Sequence, residues 1–95
     1  MIPSGALSSG TKEADGQVVA RDAQLIGVTI LTNGSADATV ELHAGTDTEG
    51  KKLFHGLVVG ANKFGAFFLP VAVYAPDGIY LNITGTGASC IVYYI

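Results

Sequence analysis

The chain reads as an all-β protein, a single small antiparallel β-sandwich (jelly-roll or Ig-like) of about seven short strands. Three observations predict this. Val, Ile and Thr supply 24 residues and Gly another 13, with no Trp, a vocabulary of strands and tight turns. Apolar residues recur with period two rather than 3.6. Turn signals return every ~8–12 residues, the spacing of sandwiches and small barrels. At 95 residues there is room for one domain, and with 48% hydrophobic and 14% charged residues intrinsic disorder is excluded.

Residues 1–16 are small and polar and predict a flexible N-terminal arm ahead of a sandwich domain over 17–95. Gln17 to Ala20 reads as a first short strand. Gln24 to Thr32 is a second, with Ile26, Val28 and Ile30 on one face and Leu25 and Leu31 on the other. Asn33-Gly34 favours a hairpin turn. Ala38 to Ala44 alternates, with Ala38, Val40, Leu42 and Ala44 facing in and Thr39, Glu41 and His43 facing out. Gly45 to Gly50 turns the chain into Lys51 to Val59, where Gly56 marks a candidate bulge. After Gly60-Ala61-Asn62, Lys63 to Ala75 is a strand bent at Pro70, and proline belongs at an edge or corner because it cannot donate to a ladder. Ala75-Pro76-Asp77-Gly78 is a turn. Ile79 to Thr84 then alternates, Gly85-Thr86-Gly87 turns, and Ser89 to Ile95 completes the sheet.

Charge narrows the function. Five basic against eight acidic residues give net −3, which argues against a partner in the nucleic-acid backbone. The start lacks a basic region followed by a long apolar core, so no secretory signal and no membrane span is expected, and synthesis in the cytoplasm fits the lone Cys90. Asp77 is the only charge after Lys63, while Phe64, Phe67, Phe68, Tyr74, Tyr80, Tyr93 and Tyr94 crowd the same stretch. Aromatics without charges characterise the centre of protein interfaces, so this end is expected to be covered by another subunit.

No catalytic, cofactor-binding or metal site is expected. Gly45 to Lys52 nearly matches a phosphate-binding loop, but Lys52 stands where a hydroxyl is needed and a hairpin offers no helix N-terminus. Gly85-Thr86-Gly87 is a turn. His43 and His55 flank the centre of the Gly45–Gly50 hairpin and approach each other if it forms; two surface histidines are the expectation, and Asp47 and Glu49 are too few for a tight calcium site. Cys90 is expected as a buried small hydrophobe. Asn33-Gly34-Ser35 and Asn82-Ile83-Thr84 fit the glycosylation pattern by chance.

The stretch Leu25-Ile26-Gly27-Val28-Thr29-Ile30-Leu31-Thr32-Asn33-Gly34, then Ala38 to Thr46, Gly50-Lys51-Lys52-Leu53, and Gly78-Ile79-Tyr80-Leu81-Asn82-Ile83-Thr84-Gly85-Thr86-Gly87-Ala88 with Val92-Tyr93-Tyr94 resembles a group of short tailed-bacteriophage virion structural proteins. The resemblance implies a β-sandwich that decorates or cements the capsid, or a head-tail accessory, and brings no catalytic motif. It implies two kinds of partner: further copies of the chain, as a dimer or trimer, and a major capsid protein on the outer surface of the virion. Ile2, Leu7, Phe67, Phe68, Tyr93 and Tyr94 are the residues expected at those contacts. A tail or head-fibre carbohydrate-binding module is the alternative.

Overall fold

The computed structural model describes residues 6–95. Eight strands occur among them: β1 (Leu7–Lys12), β2 (Gly16–Val19), β3 (Ala23–Leu31), β4 (Ala38–Ala44), β5 (Lys52–Val58), β6 (Phe64–Ala75), β7 (Ile79–Thr84) and β8 (Ser89–Tyr94). They form two four-stranded sheets, sheet I in the order β1-β8-β3-β6 and sheet II in the order β2-β7-β4-β5. Every pairing is antiparallel, and the pairs β1:β8, β2:β7, β3:β6 and β4:β5 nest inside one another. The chain is thus one long hairpin, its tip at Gly45–Gly50, rolled into a sandwich. That is the jelly-roll arrangement rather than the Ig-like one.

The core lies between the sheets. Leu25, Val28, Ile30, Cys90 and Val92 of sheet I meet Val40, Leu42, Ile79 and Leu81 of sheet II, all with no solvent exposure. The inward alternation expected for β4 holds at Ala38, Val40, Leu42 and Ala44. Phe54 and Phe67 reach across the layers, their ring centroids 5.5 Å apart.

Several expectations need correction. Residues 7–12 are not an arm: Leu7–Lys12 is edge strand β1, hydrogen-bonded to β8. The strand was hidden because Ser8, Ser9 and Gly10 break the alternation; the register shifts there, and the Ser9 hydroxyl accepts the Val92 N–H at 2.9 Å. In β3 the register shifts between Leu25 and Gly27, which puts Leu25 on the same side as Val28 and Ile30 and leaves Ile26 buried but outside the central core. Opposite that step, β6 carries the extra residues Leu69 to Ala72, so Pro70 sits in a bulge of an edge strand, as its missing N–H demands.

Asn33-Gly34 does not close a hairpin. Both lateral positions beside β3 are taken, by β8 and β6, so the chain crosses to the other sheet. Gly34 has φ +93°, and Asn33 Oδ1 accepts the N–H groups of Ser35 and Ala36 at 2.8 and 2.9 Å. The bulge in β5 is at Leu53, not Gly56, which stays paired with Val40. The turn before β7 does form, with φ +64° at Asp77 and +105° at Gly78; a Cβ on Gly78 would strike the Val19 carbonyl.

Candidate interaction surface

Antiparallel partners point to the same side, so the registers assign each outer face. On sheet II, Thr39 pairs with Leu57 and Thr84, Glu41 with His55 and Asn82, and His43 with Lys52 and Tyr80. This face is polar. Glu41 is its hub: one carboxylate oxygen lies 3.2 Å from His43 Nε2, the other 3.7 Å from Lys52 Nζ and 3.9 Å from His55 Nδ1. The His43 hydrogen bond lowers the Glu41 carboxyl below its ordinary range against partial desolvation, with help from the charges of Lys52 and His55.

His43 points outward as expected, yet it is buried, contrary to the solvated surface residue anticipated. Its Nδ1 lies 3.0 Å from the Gly50 carbonyl, which ties β4 to the hairpin tip. The two histidines do approach a common point, the Glu41 carboxylate. Among the described residues, however, no group of three His, Cys, Asp or Glu is arranged to hold a metal ion.

The outer face of sheet I is different in kind. Its rows are Gln24–Tyr74, Tyr93–Gly27–Phe68, Ile91–Thr29–Ala66 and Ser89–Leu31–Phe64, and at its rim the Tyr74 hydroxyl donates to the Asp22 carboxylate. The Phe68 and Tyr93 rings lie 5.6 Å apart, centroid to centroid, on either side of Gly27. A Cβ at Gly27 would stand 2.6 Å from both the Phe67 carbonyl oxygen and Phe68 Cδ1, so only glycine lets the Phe68 ring settle across the strand. The Thr29 hydroxyl donates to the Tyr93 hydroxyl at 3.4 Å. Phe64 is 62% exposed, Phe68 45% and, at the β6 bulge, Val71 74%, far more apolar surface than a solvated sheet face carries.

None of the five basic and eight acidic side chains occupies an outward position here. They lie in connections, on β5, at Glu41 of β4, and at Lys12, which pairs with the inward-facing Cys90.

The structure divides the six residues expected at contacts. Phe68 and Tyr93 sit at the centre of this face. Phe67 and Tyr94 turn inward and pack on the core, paired with Val28 and Leu25. Leu7 is exposed on β1 opposite Tyr94. Ile2 lies outside the described residues. Leu31, Ile91 and Val71 were not expected at contacts, and Phe64 was counted among the aromatics of this end but not among those six; the period-two run Phe64-Ala66-Phe68 was the usable signal for it.

A second feature is an open cleft of about 660 Å³ at the loop end, lined by Gln17, Ala20, Arg21, Asp22, Gly45, Thr46 and Asp77. Gln17 Nε2 donates to the Gly45 and Asp77 carbonyls, both at 3.0 Å. The Asp22 carboxylate accepts the Asp77 N–H at 3.0 Å and the Tyr74 hydroxyl at 2.7 Å, which lowers its pKa and raises that of Tyr74. Cys90 is buried, and desolvation pushes its thiol up to about 11.

No family model, curated protein or solved structure matches this chain.

Proposed function

We propose that this chain is a non-enzymatic virion structural protein, a capsid cement or decoration protein that binds copies of itself and the major capsid protein on the outer surface of a tailed-phage head. The observation that carries the reading is the aromatic outer face of sheet I, which has no charged residue at any outward strand position and is bordered only by the Asp22 carboxylate at the Tyr74 hydroxyl. Such a face is costly in water and characteristic of a surface that protein covers.

The mechanism is mechanical. A rolled hairpin whose first and last described strands, β1 and β8, are paired with each other transmits load through hydrogen-bonded ladders, and an oligomer gripping several capsid subunits gains avidity from weak single contacts. Net −3 favours the outside of the shell over contact with packaged DNA. Cryo-electron microscopy of the virion tests this. Density for the sandwich bridging capsid subunits is expected, together with genome loss at lower temperature from particles lacking it; a shell without the protein overturns the reading.

The cleft at Gln17, Arg21, Asp22 and Asp77 favours a second reading, a carbohydrate-binding module of a tail or head fibre, since its backbone and side-chain polar groups suit sugar hydroxyls. An array of host polysaccharides decides it: binding abolished by Arg21→Ala supports it, and a blank array removes it.

A further inference from the structure

We propose that His43 is a proton-dependent latch on the β4–β5 tip. As the imidazolium it bridges the Glu41 carboxylate on its own strand and the Gly50 carbonyl of the tip, and the neutral ring lets the tip go. The latch is independent of the capsid role and of the sugar site.

Proton counting at the ring requires it. His43 Nδ1 lies 3.0 Å from the Gly50 carbonyl oxygen, and Nε2 lies 3.2 Å from Glu41 Oε1. A carbonyl oxygen only accepts. So does an ionised carboxylate, and the His43 hydrogen bond holds the Glu41 carboxyl below its ordinary range. A neutral imidazole has one N–H and satisfies one of these partners; the imidazolium has two and satisfies both. The ring is buried, so water is a poor substitute at either end.

The surrounding elements offer no other solution. From β5, Lys52 and His55 approach the second carboxylate oxygen, Oε2, at 3.7 and 3.9 Å, which leaves Oε1 to His43. From β7 the cross-strand partner is Tyr80, and β2 adds the uncharged Gln17 beside it. Asp47, Glu49 and Lys51 of the tip are exposed, and Asp47 Oδ1 accepts the Glu49 N–H at 2.9 Å. Among the described residues, Gly50 and Glu41 are the ring's hydrogen-bond partners.

Bond strength decides which partner the neutral ring gives up. A hydrogen bond to a charged acceptor is roughly twice as strong as one between neutral groups, so the remaining proton stays on Nε2 with Glu41. The Nδ1 lone pair then faces the Gly50 carbonyl oxygen, and attraction turns to repulsion. Gly50 packs so closely on the Ala44 carbonyl that a Cβ there would overlap it, and the Ala44 N–H donates to the Lys51 carbonyl at 2.8 Å. Displacing the Gly50 carbonyl therefore disturbs the base of the tip. The same tip carries Gly45 and Thr46 into the wall of the cleft, so the His43 proton sets how firmly that wall is held.

Side-chain and amide 15N–1H spectra of the full chain between about pH 5 and 8, where imidazole ordinarily changes charge, test this. At the acid end both His43 nitrogens are expected to carry protons. As pH rises the ring is expected to become the neutral Nε2–H tautomer, and the Ala44, Gly50 and Lys51 amides to shift with the same midpoint. In Glu41→Gln the carboxamide donates to Nε2 while Nδ1–H stays on Gly50, so a neutral ring satisfies both contacts. The pH-linked movement of the tip amides is expected to vanish there, with circular dichroism unchanged. His55→Gln, on the exposed side of the same carboxylate, is expected to retain it. A His43 ring already neutral at about pH 5, or tip amides that do not follow it, overturns the latch. So does a full response in Glu41→Gln or its loss in His55→Gln.

Discussion

Asp22 shows how one side chain fixes a junction. From the β2–β3 connection its carboxylate holds the Tyr74 hydroxyl on β6 and the Asp77 N–H in the following turn. Its folded pKa lies below the ordinary value of 3.8, so the stabilisation is present above that value and disappears as pH falls through the folded pKa. Asp22→Asn is therefore expected to lower the urea midpoint at pH 7 and to cost progressively less below about pH 4, where the wild-type carboxyl also protonates. Unfolding curves at pH 7 and pH 3 check the narrowing gap.

Cys90 makes the opposite point, a reactive group silenced by burial. With its thiol near 11 and no solvent access, a disulfide reagent at pH 8 is expected to label it only in urea, and rapid labelling of the folded chain would contradict its place in the core. Leu81, fully buried between Leu42 and the opposite sheet, is a plain packing residue: Leu81→Ala is expected to destabilise by about 2–5 kcal/mol, read from denaturant midpoints.

Among the elements, β1 carries consequences that its composition conceals. It covers the outer edge of β8, the strand that brings Tyr93 to the exposed face and Val92 to the core. Removing residues 1–12 leaves β8 with a row of free donors and acceptors beside an apolar face, a template for strand addition. The truncated chain is expected to retain β structure but to aggregate at concentrations where the full chain stays dispersed, as light scattering would show. The β4–β5 hairpin is the converse case. It is local, its turn was readable, and Glu41, Lys52 and His55 give its outer side a hydrated surface. The two sheets thus divide labour, sheet II facing water and sheet I left apolar.

The molecule as a whole is dominated by distant contacts, because nesting β1 with β8 and β2 with β7 brings opposite ends of the chain together. Loop closure must precede most of the stabilising contacts, so refolding is expected in milliseconds to seconds rather than microseconds. Stopped-flow refolding from urea measures this, and a microsecond relaxation would contradict the topology. The same nesting places every charged residue in connections, on sheet II or at Lys12, leaving the outward strand positions of sheet I without charge.

The fold class, most strands and the inward residues of β4 and β7 were legible in the chain, since a period of two and turn residues such as Pro76 and Gly78 are local properties. So was the paucity of charge after Lys63. Which aromatic residues reach the surface was not legible. Phe67 and Phe68 are neighbours of equal hydrophobicity, and the register with Val28 and Gly27 sends one inward and the other outward. The buried state of His43 came from the hairpin tip folding back to put the Gly50 carbonyl against its ring. The edge strand β1 exists because β8 offered it a ladder, which no pattern within Leu7–Lys12 announces. Periodicity tells which residues alternate, whereas pairing across the chain, set by bulges in β3 and β6, chooses which side of the sheet each one takes.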